Sequence, residues 1–235
     1  MTFNPRLFIW LTIAFVCATV IGTLTHECGH YIVAKSFGYE PRINYNSCAV
    51  YDPENDEFTR TTWSKYQKEI RAGEDFPEKE KYMQIHRQYG KDDLWIELGG
   101  PLETILTGTI GLIFLFLFRK SFENVTKLSF KQWFFIFLSL FWLRPTANFV
   151  GWIGRYIVTG KHCHGMDEFF IANDLNLPEW TIATVTGIIG AIVLSVIIFK
   201  FVPQKQRLTF IASGLVGGIT GFILWLVLLG KVIMR

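Results

Sequence analysis

The chain has 235 residues, of which 50% are hydrophobic, including 22 Phe and 8 Trp. A soluble core does not need so large an apolar share, so the composition places the protein in the membrane class. The net charge of +3 is too small to favour nucleic acid as a partner, and no basic block interleaved with aromatic residues supports one.

The first predicted element is a membrane helix over residues 5–38. Pro5 suits the first turn of a helix, and Gly38 is a residue at which helices commonly end. Residues 7–25 are almost wholly apolar, and about 20 such residues suffice to cross a bilayer. The first unit of the chain, residues 1–38, is therefore predicted to be a transmembrane helix.

The apolar run leads directly into His26-Glu27-x-x-His30, an H-E-x-x-H motif. Positions i and i+4 share one face of a helix, so both imidazoles can ligate one zinc ion while Glu27 lies beside it as a general base. The alternatives are a histidine pair buried by packing alone and an ion pair between Glu27 and Arg144. Ionisable groups inside a membrane are costly without a function, which favours the zinc interpretation.

Residues 39–93 form a polar insert with 9 Lys or Arg and 12 Asp or Glu, and we expect it to lie outside the membrane. Within it, residues 42–45 alternate polar and apolar side chains in the manner of a short strand, and residues 77–89 are typical of a helix with charged flanks. The segment 42–51 could offer a strand edge to an extended substrate.

Four further apolar segments follow the insert and predict an all-α polytopic membrane protein with about five transmembrane helices. They are residues 94–118, residues 130–158 with an interruption at Arg144-Pro145, residues 180–201 and residues 208–233. The polar loop 159–179 contains a predicted short helix at 167–173. The first three spans form the predicted metalloprotease core. The second and third of these spans, with the polar loop that follows them, make up the unit 94–178. Two C-terminal helices form unit 179–235.

Polar side chains from three spans are predicted to lie at one depth. His26 lies about 20 residues, or roughly 30 Å, along the first span. Asn148 lies at a similar depth in the third span, and Glu97 and Glu103 lie near the start of the oppositely directed second span. Amide and ionisable groups inside a membrane usually face a cavity or a partner, so these residues predict one polar site.

The motif supplies two ligands, and a catalytic zinc normally takes a third from the protein. The candidates in the loop after the third span are Asp167, Glu168, Asp174 and the cluster His162-Cys163-His164. Asp167 is favoured because it begins a predicted helix close to Gly165, where the chain can turn back toward the site. A carboxylate with two histidines is also a common hydrolytic zinc set.

These motifs resemble the site-2 protease family of intramembrane zinc metalloproteases. The resemblance extends to about residue 178 and rests on the H-E-x-x-H motif, on Gly100-Pro101 early in the second span, and on Asn148 followed by a downstream Asp. It implies that His26, His30 and Asp167 hold Zn²⁺ and that Glu27 activates water. It also implies that Asn148 assists binding of the substrate or the oxyanion.

The chain departs from the family pattern at two places. Asp167 is followed by Glu168, where the family usually has Gly, and it lies 19 residues beyond Asn148. Glu103 stands where the family often carries an amide. Asn148 and Arg144 could also serve only to satisfy backbone carbonyls that Pro145 leaves free.

The sequence as a whole predicts a multi-pass integral membrane endopeptidase that hydrolyses peptide bonds of membrane-embedded protein or peptide substrates. The alternatives are a non-catalytic metal-binding membrane scaffold and a membrane metallopeptidase that acts on soluble or lipid-linked peptides. The last span carries overlapping pairs of small residues, which predict close helix contact inside the chain or in a homo-oligomer. These residues are Gly214, Gly217, Gly218 and Gly221.

Overall fold

The computed structural model describes residues 3–160 and 165–234, so the candidate ligands His162, Cys163 and His164 lie outside the described residues. The described part is helical apart from one short pair of strands. Five helical segments are long and apolar enough to cross a membrane, which confirms the predicted helical class and the predicted number of such segments. They are Pro5–Ser36, Lys79–Leu117, Phe130–Thr159, Thr181–Phe201 and Arg207–Ile233.

Helix α1 (Pro5–Ser36) carries the H-E-x-x-H motif in its last third. The Asn4 side chain accepts a hydrogen bond from the backbone N–H of Leu7 at 3.1 Å, which caps the start of the helix. The helix ends just before Gly38, whose φ of 92° favours glycine. Both predicted ends of this helix agree with the structure to within two residues.

The insert begins with a β-hairpin of two strands, β1 (Glu40–Ile43) and β2 (Cys48–Tyr51). The sequence predicted a strand at 42–45 but did not predict its partner. The hairpin lies against α1, and Trp225 Nε1 donates a hydrogen bond to the carbonyl oxygen of Tyr45 at 2.9 Å. The turn of the hairpin is therefore tied to the last helical segment of the chain.

The insert continues through α2 (Asp56–Ala72) and passes into α3 (Lys79–Leu117). Helix α3 joins the predicted helix 77–89 to the second span without a break, although the sequence placed a boundary between units at residue 93. Composition changes there, but no strong helix-ending signal accompanies the change. Helix α2 was not predicted, because most of its residues are polar and its buried face is small.

The third span consists of α4 (Phe130–Ser139), a 3₁₀ turn (Leu140–Trp142) and α5 (Leu143–Thr159). The turn lies just before Pro145, which has no N–H to donate to the carbonyl of Phe141, four residues earlier. The interruption that the sequence predicted at this proline is confirmed.

The remaining helices follow the order that the sequence predicted, and the short helix after the third span is confirmed. They are α6 (Asp167–Asp174), α7 (Thr181–Val196), α8 (Arg207–Phe222) and α9 (Gly230–Ile233). Two π-helical stretches, Ile197–Phe201 and Ile223–Leu229, extend α7 and join α8 to α9.

Helix α1 packs against α3 on one side and against α8 on another, while α4 packs on α3 and α5 packs on α7. A large apolar core lies where the N-terminal half of α1 meets the C-terminal half of α3, and it includes Phe15, Leu115 and Phe210. Because α1 and α3 are antiparallel, the motif of α1 lies beyond this core, beside the middle of α3.

Small residues allow α8 to approach α1 closely. Three glycines of α8 lie against α1: Gly214, Gly217 and Gly221. A Cβ atom on Gly217 would lie 2.6 Å from both the Cβ of Phe15 and the carbonyl oxygen of Thr12, whereas a Cβ on Gly218 would meet no atom within 4 Å. This glycine surface therefore serves packing within the chain, and a homo-oligomer through the last helix stays a prediction.

Substitution of Gly217 by Ala should destabilise the protein by about 1–3 kcal/mol, because the added methyl group overpacks the contact between α1 and α8. Gly218→Ala, the same change one residue further on, should have little effect. Thermal unfolding in detergent measures both variants, and an equal loss of stability in the two would contradict this packing.

Candidate metal centre

Three possible ligand atoms from distant parts of the chain meet at the middle of the helical bundle. Oδ2 of Asp167 lies 2.7 Å from Nε2 of His26 and 3.7 Å from Nε2 of His30. The two Nε2 atoms are 3.3 Å apart. The structure thus brings together the three residues that the sequence singled out as a ligand set, with all ligand atoms within 4.8 Å of one another.

Hydrogen bonds on the far side of each imidazole orient the two rings. Nδ1 of His30 donates to the carbonyl oxygen of Ile96 at 2.6 Å, and Nδ1 of His26 lies 3.0 Å from Oγ1 of Thr104. The Thr104 hydroxyl donates to Oε2 of Glu103 at 3.5 Å, which leaves it free to accept from His26. Both Nε2 atoms then present lone pairs toward Asp167, the tautomer that metal ligation requires.

This arrangement fits a divalent metal ion. Two imidazole lone pairs and a carboxylate oxygen converge on one small region, and a cation between them removes the mutual repulsion of three acceptors. Two histidines and one carboxylate are a common catalytic zinc set, which leaves a fourth position open. His26 and His30 are 2% and 7% exposed, while the Asp167 side chain is 24% exposed, so the cluster is accessible from the side of α6.

Glycines at the crossing of α1 and α3 make room for the cluster. A Cβ on Gly29 would lie 2.3 Å from the carbonyl oxygen of Gly99, so the two backbones are in direct contact. A Cβ on Gly100 would lie 2.3 Å from Nε2 of His30 and 2.5 Å from Nε2 of His26. The imidazoles therefore occupy the space that any other residue at position 100 would fill.

Helix α6 positions Asp167 at its first turn. Burial alone would raise the pKa of the Asp167 carboxyl, but the close contact of this carboxyl with the His26 and His30 rings outweighs burial and holds that pKa below its usual range. The carboxylate is thus favoured in the ionised form that a metal ligand needs.

Asn148 acts on α6 through a neighbouring carboxyl group. Its Nδ2 donates to Oε1 of Glu168 at 2.9 Å, and Glu168 is 5% exposed. Burial raises the pKa of Glu168, although the hydrogen bond from Asn148 opposes this shift. The observed contact joins α5 to α6 next to Asp167, so it supports a positioning role. The predicted part of Asn148 in binding substrate or oxyanion stays a prediction.

The other third-ligand candidates within the described residues are directed elsewhere. Glu168 faces Asn148, and Asp174 is exposed at the opposite end of α6. Glu103 accepts hydrogen bonds from Thr104 and from Thr107, so it supports the ring of His26 indirectly. Asp167 alone of the described candidates from α6 reaches both imidazoles.

Glu27 is 4% exposed, and its carboxylate forms no hydrogen bond and no ion pair with any residue that the structure describes. An ion pair with Arg144, the alternative explanation for Glu27, is therefore absent from the described part of the chain. The hairpin packs against α1, and burial together with the Glu27 charge raises the pKa of Cys48 to about 11. The Glu27 carboxylate is not engaged by any residue that the structure describes, so it is available to a ligand.

Arg144 does not serve the carbonyl that Pro145 leaves free. Its Nη1 donates to the carbonyl oxygen of Gly22 on α1 at 3.5 Å, and its buried Nε has no hydrogen-bond partner among the described residues. The guanidinium thus bridges from α5 toward α1, one turn before His26.

Sequence reasoning did not find the groups that orient the histidines. Thr104 is one residue among many threonines, and the carbonyl of Ile96 has no sequence signature at all. Gly29, Gly99 and Gly100 did carry a signal, since glycines cluster both inside the motif and early in the second span. Of these three glycines only Gly100 belongs to the family resemblance, and the structure explains all three by the close crossing of α1 and α3.

Comparison of the chain with protein-family models, with curated proteins and with solved structures finds no match.

Removal of any one of the three ligand groups should abolish stoichiometric zinc binding, because two ligands hold zinc weakly. Asp167→Asn should lose the metal, whereas Asp174→Asn, the same change at the other end of α6, should retain it. Metal content of the purified variants after dialysis against limiting zinc measures this. Full zinc in Asp167→Asn would contradict the assignment.

Substitution of Gly100 by Ala should also abolish zinc binding, because the new methyl group would clash with the Nε2 atoms of both histidines and displace them. Gly90→Ala lies on the same helix, where an added Cβ meets no atom within 4 Å, so it should leave the metal content unchanged. Equal zinc affinity in the two variants, measured by competition with a chelating dye, would show that the crossing does not shape the site.

Proposed function

We propose that the protein is an intramembrane zinc-dependent endopeptidase. The observation that carries the proposal is the meeting of Nε2 of His26, Nε2 of His30 and Oδ2 of Asp167 within 4.8 Å, on the helix that also carries the buried Glu27, which has no partner among the described residues. The residues that hold the metal lie on helices long and apolar enough to cross a membrane and on the short helix packed against them.

Zinc held by this set would supply a Lewis acid that lowers the pKa of water and polarises a peptide carbonyl. Glu27 then takes a proton from the attacking water and returns it to the leaving amine. No Arg or Lys among the described residues forms an ion pair with Glu27, which supports this role, because a carboxylate engaged by such a cation would be a poor base. Thr104 and the Ile96 carbonyl hold the imidazoles still while charge develops nearby.

The membrane location defines the substrate class in this proposal. A site among membrane-spanning helices meets peptide bonds that lie within the bilayer, and a helical substrate has to unwind before its bonds can be attacked. Asp167 is partly exposed, which supports entry of water from the side of α6. The outer edge of β2 pairs with no other strand of the described residues and could pair with an unwound substrate segment.

The structure also bears on the competing functions. A scaffold that only binds metal needs no general base, so the buried and unpaired Glu27 argues against that role. A metallopeptidase acting on soluble or lipid-linked peptides would cleave outside the bilayer. The position of the cleaved bond therefore separates that function from the proposed one.

Glu27→Gln should reduce cleavage by about 100-fold or more, because a positioned base contributes at least this factor, while zinc content stays unchanged. The assay uses a synthetic peptide of about 20 Leu and Ala residues flanked by lysines, long enough to span a bilayer, reconstituted with the protein in liposomes. Mass spectrometry of the products locates the cleaved bond.

Glu57→Gln on the exposed surface of α2 provides the matched control, and it should retain full activity. Undiminished cleavage by Glu27→Gln would remove Glu27 from the mechanism. Cleavage only in the lysine flanks would favour a peptidase that acts outside the membrane.

A further inference from the structure

A cavity of about 380 Å³ lies between α1, the start of α5 and α8. Its walls are mainly apolar and include Phe15, Phe137, Leu140 and Phe222. Its volume falls in the range of about 300–1,000 Å³ that is usual for ligand sites, and a few polar groups in an apolar lining are typical of such sites.

The cavity adjoins the candidate metal centre. Thr104 lines it, and the same hydroxyl holds Nδ1 of His26 at 3.0 Å. Gly22 and Thr23, one turn before His26 on α1, line it as well. Thr104 thus lies between the cavity and the Nδ1 side of the His26 ring.

The rim of the cavity is open on the outer surface of the bundle. Leu143 and Ala147 of α5 line one side and are exposed, and Phe222 of α8 lines the other side and is 55% exposed. These residues belong to the apolar faces of two candidate membrane spans. The opening thus faces the region that lipid would occupy rather than an aqueous surface.

Arg144 supplies a donor inside this apolar cavity. No carboxylate of the described residues lies within 4.0 Å of its guanidinium, none of these residues is a partner of its Nε, and the hydrogen bond that it donates to Gly22 is long, at 3.5 Å. A cation inside a membrane is costly unless it meets acceptors. A ligand that offers oxygen acceptors would satisfy it.

The depth of Arg144 distinguishes between sources of such oxygens. It follows Phe130, the first residue of the third span, by 14 residues, which corresponds to roughly 21 Å of helix. The hydrocarbon core of a bilayer is about 30 Å thick, so a residue at this depth lies inside it, below the lipid phosphates of either surface. A membrane peptide that unwinds exposes backbone carbonyls there, and these have no water to accept from.

We propose that this cavity is the substrate pocket, in which an unwound apolar segment places large aliphatic or aromatic side chains while Arg144 donates to one of its backbone carbonyls. The hydrolysis of that segment rests on the proposed function, but its binding does not. Arg144 would bind the substrate directly in this assignment, because it would hold the substrate backbone in the cavity that Thr104 separates from His26.

The test measures binding separately from cleavage by using the Glu27→Gln protein in liposomes. The probe is the synthetic Leu and Ala peptide with lysine flanks, carrying a photoreactive leucine at its centre. Illumination should crosslink the probe to residues of the cavity wall on α5 and α8, identified by mass spectrometry. Crosslinks spread evenly over the outer faces of all spans would overturn the proposal.

Matched substitutions in the same protein test the volume of the pocket. Gly218 lines the cavity, whereas Gly154 lies on α5 outside it. Both glycines have open space for a Cβ. Gly218→Leu should lower affinity for the probe about tenfold, the usual scale for lost apolar contacts in a pocket. Gly154→Leu should leave it unchanged. Equal affinity in both variants would contradict the assignment.

A second pair of variants tests the donor. One probe carries a Gly–Pro pair at its centre, where its helix unwinds readily, and the other is fully helical. Arg144→Gln should weaken binding of the first probe by at least tenfold and binding of the second much less. Arg155→Gln, also on α5 but outside the cavity, should change neither. An equal effect of Arg144→Gln on both probes would show that it does not bind an unwound backbone.

The two proposals fail in distinguishable ways. If the probe crosslinks to the cavity but the unmodified protein with zinc leaves it intact, the endopeptidase function is wrong and the pocket stands. If the protein cleaves the probe while Gly218→Leu and Arg144→Gln change neither the Michaelis constant nor the crosslinks, the function stands and the pocket is wrong.

Discussion

The close crossing of α1 and α3 is the contact on which the candidate site depends. Gly29 and Gly99 meet backbone to backbone, and Gly100 leaves space in which both imidazoles lie. Helices that pack through ordinary side chains keep their axes about 8–10 Å apart. At that separation His26 and His30 could not reach Thr104 and the Ile96 carbonyl, and their ring orientation would be lost.

Polar groups among apolar helices need partners, and most of those in this bundle have them. Thr104 joins His26 to Glu103, and Asn148 joins α5 to a buried glutamate of α6. Glu27 and the Nε of Arg144 have no hydrogen-bond partner among the described residues, and Oε2 of Glu168 and Nε1 of Trp142 also lack one. The proposed hydrolysis of a bound peptide would employ the first two, Glu27 to move a proton and Arg144 to hold a carbonyl.

The break in the third span connects the fold to the pocket. A 3₁₀ turn just before Pro145 separates α4 from α5, α5 packs on α7, and the cavity lies between the start of α5 and α1. Arg144 enters that space from the start of α5. The bond from Trp225 to Tyr45 ties the hairpin to the last helical segment, so the insert and the C-terminal helices border the same region.

By itself, the sequence determined the membrane-length helices, the break at Pro145 and the presence of His26, Glu27 and His30 on one helix. These features depend on composition, helical spacing and the missing N–H of proline, all of which are local. It missed α2, whose buried face is too small to give a periodic signal. It favoured Asp167 as the third ligand but left Glu168, Asp174 and the His162-Cys163-His164 cluster as alternatives, because all of them follow the third span closely. Only the tertiary structure decided between Asp167, Glu168 and Asp174, since the packing of α6 against α3 brings Asp167 to His26, 141 residues away in the chain.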